Sequence, residues 1–210
     1  MRLMVLIGVL LLSLSGCNTP NNKQISFHSA HNATVQIFSA DGGRGSASYI
    51  GNGYFLTAWH CIGSRDMEMQ YYYNGVFYDM ELHSFTEQMD LALLKAVPAA
   101  GLTSLDIAKN GPKLGDKCYS IGYQFGAPEL HMITDGIIAQ LYYDVDSRND
   151  LFIFSAPINS GSSGGPVLDE NLNIIGVNMM IYSMSGDWCG ISASTSHENL
   201  IDFLKISGLK

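Results

Sequence analysis

Three short stretches carry residue types suited to nucleophilic chemistry. Leu56-Thr57-Ala58-Trp59-His60-Cys61 runs a strand-like segment into a histidine. Met89-Asp90-Leu91-Ala92-Leu93-Leu94 opens an apolar strand with an aspartate. Asn159-Ser160-Gly161-Ser162-Ser163-Gly164-Gly165-Pro166 sets a serine in a glycine-rich turn. A serine hydroxyl attacks a carbonyl poorly unless a base takes its proton, and histidine does this near neutral pH. A carboxylate must fix the tautomer of that histidine, and backbone N–H groups must meet the developing oxyanion. Glycines let such N–H groups converge. On this reading Ser163 is the nucleophile, His60 the general base and then acid, and Asp90 the orienting carboxylate. The N–H groups of Gly161 and Ser163 form the oxyanion hole. Singly, each pattern is ordinary: a packed histidine, a turn aspartate, a flexible loop. Their combination is far more specific than any one of them.

Other chemistries fit less well. Gly161-Ser162-Ser163-Gly164-Gly165 also matches the Gly-x-Ser-x-Gly elbow of α/β-hydrolases. Asp169 or Asp187 with His197 would then complete a triad, but only 47 residues follow Ser163 and no βα alternation is evident. Cys61 adjoins His60, yet neighbouring residues rarely place a nucleophile and its base correctly. Beyond Cys17 the cysteines are Cys61, Cys118 and Cys189, with no Cys-x-x-Cys pair, which argues against zinc. His28, His31, His83 and His131 lack metal-ligand spacing and read as surface or core residues. No metal and no cofactor is expected. Met67, Met69 and Tyr71 to Tyr73 read as packing residues. The formal charge is −8 with no Lys/Arg run, which disfavours a nucleic-acid partner and fits a soluble surface.

The elements needed to position these residues are short strands. The chain has 22 glycines, 11 tyrosines and 9 phenylalanines, a composition for strands and turns. Ala33 to Phe38 alternates. Gly45 to Ile50 and Tyr54 to Thr57 flank Gly51-Asn52-Gly53, and Met67 to Tyr73 and Val76 to His83 flank Asn74-Gly75, both hairpin signals. Leu91 to Ala96 is a further strand. Pro98 to Pro112 reads as a linker. Lys117 to Ile121, Leu130 to Tyr143 (a hairpin through Asp135-Gly136), Leu151 to Ser155, Pro166 to Leu168, Ile174 to Ile181 and Gly190 to Ser194 follow. Thr195-Ser196-His197-Glu198 is a capping-box sequence ahead of one terminal helix, stopped by Gly208.

The first residues read as targeting information. Arg2 precedes an apolar run from Leu3 to Leu14, too short for the ~20 residues of a membrane span and of the length of a secretory signal. Leu14-Ser15-Gly16-Cys17 resembles the lipobox of bacterial lipoproteins, in which the cysteine thiol receives a diacylglycerol. The alternative is an ordinary secretory signal with an incidental cysteine. Asn18 after the cysteine favours, by resemblance, an outer membrane facing the periplasm where the host has one. Asn18 to Gln24 reads as a tether.

The three chemical patterns resemble the trypsin-like serine peptidases, whose blocks read Thr-Ala-Ala-His-Cys, Asp-Ile-Ala-Leu-Leu and Gly-Asp/Asn-Ser-Gly-Gly-Pro, in the same order. The spacings, Ala156-Pro157-Ile158-Asn159, Ile174-Ile175-Gly176-Val177 and Gly190-Ile191-Ser192-Ala193 resemble the bacterial Deg/HtrA branch. The resemblance implies an all-β fold of two perpendicular six-stranded β-barrels with a short C-terminal helix, and a triad in the cleft between them. The expected organisation is a signal over residues 1–16, a lipidated Cys17 and tether over 17–32, and a protease domain over 33–210. Within that domain, barrel 1 spans about 33–97, a linker 98–112, barrel 2 about 113–194 and the helix about 196–206. The expected activity is endopeptidase cleavage of protein or peptide substrates at an envelope membrane.

Departures from the family pattern carry expectations of their own. Ser162 replaces the aspartate that receives a freshly cut N-terminus, so activation by trimming is not expected. Trp59 stands where a small residue is usual and is expected to pack outward. Gly45 and Asp169 occupy the partner positions of family cysteines at Cys61 and Cys118, so the usual disulfides are not expected. No peptide-binding PDZ module follows the helix, which puts cage-like assembly in doubt. Pro157 sits where trypsin-like enzymes place a pocket-floor aspartate. Ile158, Met180 and Ile191 would line the pocket, implying small or medium apolar P1 residues. The rival from another class is a catalytically silent trypsin-like module for binding or adhesion.

Overall fold

The computed structural model describes residues 25–144, 149–184 and 187–209. The proposed signal and Cys17 lie outside them. Among the described residues, twelve strands form two closed six-stranded antiparallel barrels. Barrel 1 contains β1 (Thr34–Ser39), β2 (Arg44–Gly51), β3 (Tyr54–Thr57), β4 (Met69–Tyr73), β5 (Val76–Thr86) and β6 (Leu91–Lys95), closed in the order β1-β2-β3-β6-β5-β4. Barrel 2 contains β7 (Lys117–Tyr123), β8 (His131–Asp144), β9 (Asn149–Phe154), β10 (Pro166–Leu168), β11 (Ile174–Met184) and β12 (Asp187–Thr195), in the order β10-β11-β12-β9-β8-β7. Closure removes the free edges that open sheets must protect.

The side-chain period of two explains why the site-bearing strands are apolar throughout. In β6, Ala92 and Leu94 point into barrel 1 with Phe55 and Tyr71, while Leu91 and Leu93 point away from it. These outward residues join Leu56, Ile121, Leu168, Ile174 and Val177 in a second core that packs the two barrels together. Both faces of β6 are therefore buried; its ladder with β3 keeps one register, while that with β5 shifts between Leu82 and Ser84. Barrel 2 encloses Cys118, Ile138, Phe152, Phe154, Val167 and Ile175. The segment between the barrels is tied to both: Leu105 N–H donates to Tyr49 O of barrel 1, while Ala108 N–H donates to Ile174 O of barrel 2 and Asp106 O accepts from Ile174 N–H.

Two hairpins form as the sequence indicates. Asn52 and Gly53 have φ of 54° and 81°, and Asn74 and Gly75 have 48° and 85°. Positive φ at both central residues is what a type I′ turn requires. Asp135-Gly136 carries the same signal and makes no turn. β8 runs straight through it as one 14-residue strand paired to β7, with Tyr119 opposite Asp135 and Cys118 opposite Gly136. The glycine serves a close approach instead, because a Cβ there would lie 2.2 Å from Ala156 N.

Both helices also refine the expectation. α1 (Phe27–Asn32) occupies the end of the stretch read as tether, capped by Ser26, whose hydroxyl accepts from Ser29 N–H. Ala30 enters the core between the barrels and Phe27 meets Tyr119 edge-on at 4.8 Å. Tertiary burial, not sequence periodicity, makes this six-residue helix. α2 (His197–Ile206) is capped by Ser196, which accepts from Asn199 N–H, so the cap lies one residue beyond Thr195. Leu200, Phe203 and Leu204 pack on the shared core.

α1 is fastened by a stack of rings. His31 lies 3.5 Å from His131, centroid to centroid, and His131 stacks on Tyr123 at 4.0 Å. Burial, and then the neighbouring His31, hold His131 down to about 3 from its ordinary 6.5. The unfolded chain takes up a proton below 6.5 that the native ring refuses, so stability is lost as pH falls from 6.5 towards 3. Lowering the pH from 7.5 to 5 is expected to cost about 2 kcal/mol from this ring. His131→Phe keeps the stack, and denaturant unfolding at the two pH values should show the difference shrink by that amount. An unchanged difference contradicts the assignment.

Candidate active site

His60 sits in a single 3₁₀ turn, Trp59–Cys61, directly after β3. Asp90 precedes β6 with φ of 51°, a left-handed conformation that short polar residues tolerate. Strand pairing of β3 with β6 brings the two together. Asp90 Oδ2 lies 2.6 Å from His60 Nδ1, and its Oδ1 accepts the His60 backbone N–H at 2.8 Å. Trp59 N–H donates to Asp90 O at 3.1 Å. The carboxylate makes Nδ1 the donor and leaves Nε2 as the acceptor that a base needs. Trp59 itself stacks on Phe85 at 4.1 Å, with the Arg65 guanidinium 4.6 Å from that ring.

Loss of part of its water shell works against the charged form of His60. The hydrogen bonds to Asp90 and to the Cys61 side chain outweigh this and raise the ring to about 10. Cys61 is a free thiol: a Cβ on Gly45 would lie 2.8 Å from its sulfur, so the glycine faces it and offers nothing to pair with. Cys118 is also free, buried in barrel 2, and its thiol is pushed up to about 12 by burial.

The serine loop closes between β9 and β10. Gly161 and Gly164 have φ of 90° and 85°, and neither has room for a Cβ, which would lie 2.3 Å from Gly126 N and 2.1 Å from Thr57 Oγ1 respectively. Ser162 N–H donates to Asn159 O at 2.9 Å, Gly164 N–H to Asn178 O at 2.9 Å and Gly165 N–H to Ser162 O at 3.0 Å. The N–H groups of Gly161 and Ser163 donate to no protein acceptor among the described residues. Two free donors flanking one satisfied donor is the pattern an oxyanion hole requires. Ser163 Oγ donates to Met179 O at 3.4 Å, a long bond, and not to His60.

The four expected pocket residues divide. Pro157 is exposed, and its carbonyl accepts from Thr134 Oγ1 at 2.8 Å. Met180 and Ile191 are 43% and 39% exposed. They share one face of the β11–β12 ladder, since Met180 pairs with Ala193 and Ile191 with Tyr182. Ile158, 2% exposed, is packed into the barrel 2 core and forms no open wall. His197, the base of the α/β-hydrolase alternative, is buried at the first position of α2 with Nε2 2.8 Å from Ala108 O. Two closed antiparallel barrels, with no parallel βαβ unit among the described residues, overturn that alternative. Sequence reading missed Ser46 and Asn178, both fully buried and both hydrogen-bonded to the serine loop.

Residues 45–177 match the family described as trypsin-like peptidase domain. The chain belongs to that family. It is 30% identical over 171 residues to the chloroplastic Protease Do-like 1 of Arabidopsis thaliana, covering 77% of this chain and 38% of that protein. It is 30% identical over 175 residues to the periplasmic pH-dependent serine endoprotease DegQ of Escherichia coli, covering 78% and 38%. The chain thus spans little more than a third of the length of these two relatives. Among solved structures, the HtrA-type protease AlgW with a tripeptide superposes with a TM-score of 0.75 at 26% identity, over 86% of this chain and 63% of that one. The Rv3671c protease in its inactive form shares the fold, with a TM-score of 0.72 at 20% identity over 86% and 91%. The matched region is thus a trypsin-like peptidase domain, and its relatives include Deg/HtrA-type proteases.

Proposed function

We propose that this chain is an envelope serine endopeptidase acting through Ser163, His60 and Asp90. The observation that carries the reading is the two-point hold of Asp90 on His60, with the serine loop and its two unpaired N–H groups meeting the same β2 glycine, Gly45, as Cys61 beside that histidine. As substrate enters, Ser163 Oγ turns from Met179 O to His60 Nε2. His60 takes the hydroxyl proton while Oγ attacks the scissile carbonyl, and the N–H groups of Gly161 and Ser163 receive the oxyanion. His60 then gives its proton to the leaving amine, and water hydrolyses the acyl-enzyme by the same steps. A lipid on Cys17 would hold the domain at the membrane, in keeping with the short apolar run ending Leu14-Ser15-Gly16-Cys17. The bond from Ser163 to Met179 O favours a second reading, a silent binding module, which the loss or survival of function in Ser163→Ala separates.

The pocket walls available are Met180 and Ile191, with Pro157 in place of a carboxylate. A lysine or arginine at P1 would be desolvated without a partner. Digestion of a mixed peptide library should yield cuts after Val, Ala, Ile or Leu; fastest cleavage after Lys or Arg contradicts this pocket.

Acylation needs neutral His60, so activity falls as pH drops through the pKa of that ring. With the ring raised to about 10, kcat/KM should climb through the alkaline range. Cys61→Ala removes one of the interactions that favour the imidazolium and should move the midpoint towards neutrality. A wild-type profile already flat above pH 7.5 contradicts it.

A further inference from the structure

Ser46 lies in β2, on barrel 1, and is completely buried. Outside the strand ladder it makes four hydrogen bonds, and three of them reach barrel 2 and its serine loop. Its backbone N–H donates to Ser163 O at 2.8 Å. Its hydroxyl donates to Gly161 O at 2.8 Å and accepts from Tyr123 N–H at 3.0 Å. Its carbonyl accepts from Thr57 Oγ1 at 2.8 Å, within barrel 1. We infer that Ser46 is a positioning residue that holds the oxyanion hole open, acting from the opposite barrel. The inference rests on the peptidase reading of the Ser163 site.

A hydroxyl has one hydrogen. Because Ser46 Oγ accepts from Tyr123 N–H, that hydrogen is free to point at Gly161 O, and the two bonds polarise each other. A peptide plane turns as a unit, so fixing a carbonyl fixes the N–H on its other side. Ser46 pins the plane joining residues 161 and 162 through its hydroxyl, and the plane joining 163 and 164 through its N–H. The plane between them carries the Ser163 N–H, and its carbonyl, Ser162 O, is held separately by Gly165 N–H and Asn178 Nδ2. Gly161 has no side chain to restrict its dihedrals, so its carbonyl must be held from outside if its own N–H is to keep its aim. Tyr123 supplies the backing, its carbonyl 2.4 Å from where a Cβ of Gly161 would lie. Alanine at position 46 keeps the backbone bond to Ser163 O but leaves Gly161 O and Tyr123 N–H unpaired in a buried place. The cheapest relief is rotation of the Gly161 carbonyl, which strains the Ser162 N–H bond to Asn159 O on one side and changes the Gly161 dihedrals on the other, so that the Gly161 N–H loses its aim.

The test uses the folded domain and three proteins: wild type, Ser46→Ala and the isosteric Ser46→Cys. Each is melted, labelled with a fluorophosphonate, and assayed for kcat, for KM and for affinity towards a peptide boronic acid, whose tetrahedral adduct occupies the hole, and towards the corresponding product peptide. For Ser46→Ala, kcat and boronate affinity should fall together by about 10- to 100-fold, with KM and product affinity within about 3-fold. Ser46→Cys, with a weak donor, should fall between. A folded Ser46→Ala with wild-type kcat and boronate affinity overturns the assignment, as does an equal loss for product and boronate. If Ser46→Ala does not fold, the same comparison on Ser46→Cys decides. A wild-type protein that fails to label overturns the peptidase reading itself, a result distinct from the loss of Ser46 alone.

Discussion

Ser163→Ala is expected to lower kcat on a cleavable peptide by roughly 10⁴- to 10⁶-fold, with little change in KM. The substitution removes only Oγ, whose one protein hydrogen bond is the 3.4 Å contact to Met179 O. The loop stays in place, because its backbone is held by Ser46, Asn159 and Asn178. Thermal stability should therefore be close to wild type, and the residual rate should reflect the oxyanion hole and substrate binding alone. A single-turnover assay on matched, folded protein measures this directly. Retention of activity within about tenfold would mean that another group performs the attack.

Asp90→Asn should cost about 10⁴-fold in kcat at the alkaline end of the profile, where wild-type His60 is neutral. The amide can still accept the His60 backbone N–H through Oδ1, and asparagine tolerates the φ of 51° at this position, so the turn should survive. What changes is the proton. An amide NH₂ facing Nδ1 makes that nitrogen the acceptor and moves the hydrogen to Nε2, where it blocks proton transfer from Ser163. Asp90→Ala would add backbone strain to the same loss. A folded Asp90→Asn protein with kcat within tenfold of wild type would show that the 2.6 Å pair is structural.

The pairing of His60 with Asp90 is legible in the sequence because each sits in a local pattern beside a strand, and the tight serine turn because glycines crowd it where backbone must approach backbone. The Asn52-Gly53 and Asn74-Gly75 turns were readable because the type I′ geometry demands those residues. Asp135-Gly136 shows the limit of that signal: the glycine answers a neighbour, Ala156, that no local pattern reveals. Ile158 fails as a pocket wall for a similar reason, since an isoleucine beside a cleft and one in a barrel core look alike in sequence. The cap of α2 shifted by one residue because Thr195 and Ser196 are both competent caps. Ser46 was illegible altogether. It is one serine in a short strand, and its hydroxyl partners lie 77 and 115 residues away.

The central claim is that Ser163 is an activated nucleophile. The most direct measurement is mass spectrometry of residues 18–210 after exposure to a fluorophosphonate, with Ser163→Ala as control. The account predicts a single adduct on Ser163, absent from the variant and formed faster as pH rises, because His60 must lose its proton to act. Folded protein that stays unlabelled up to pH 10 would contradict it and would point to the silent binding module instead.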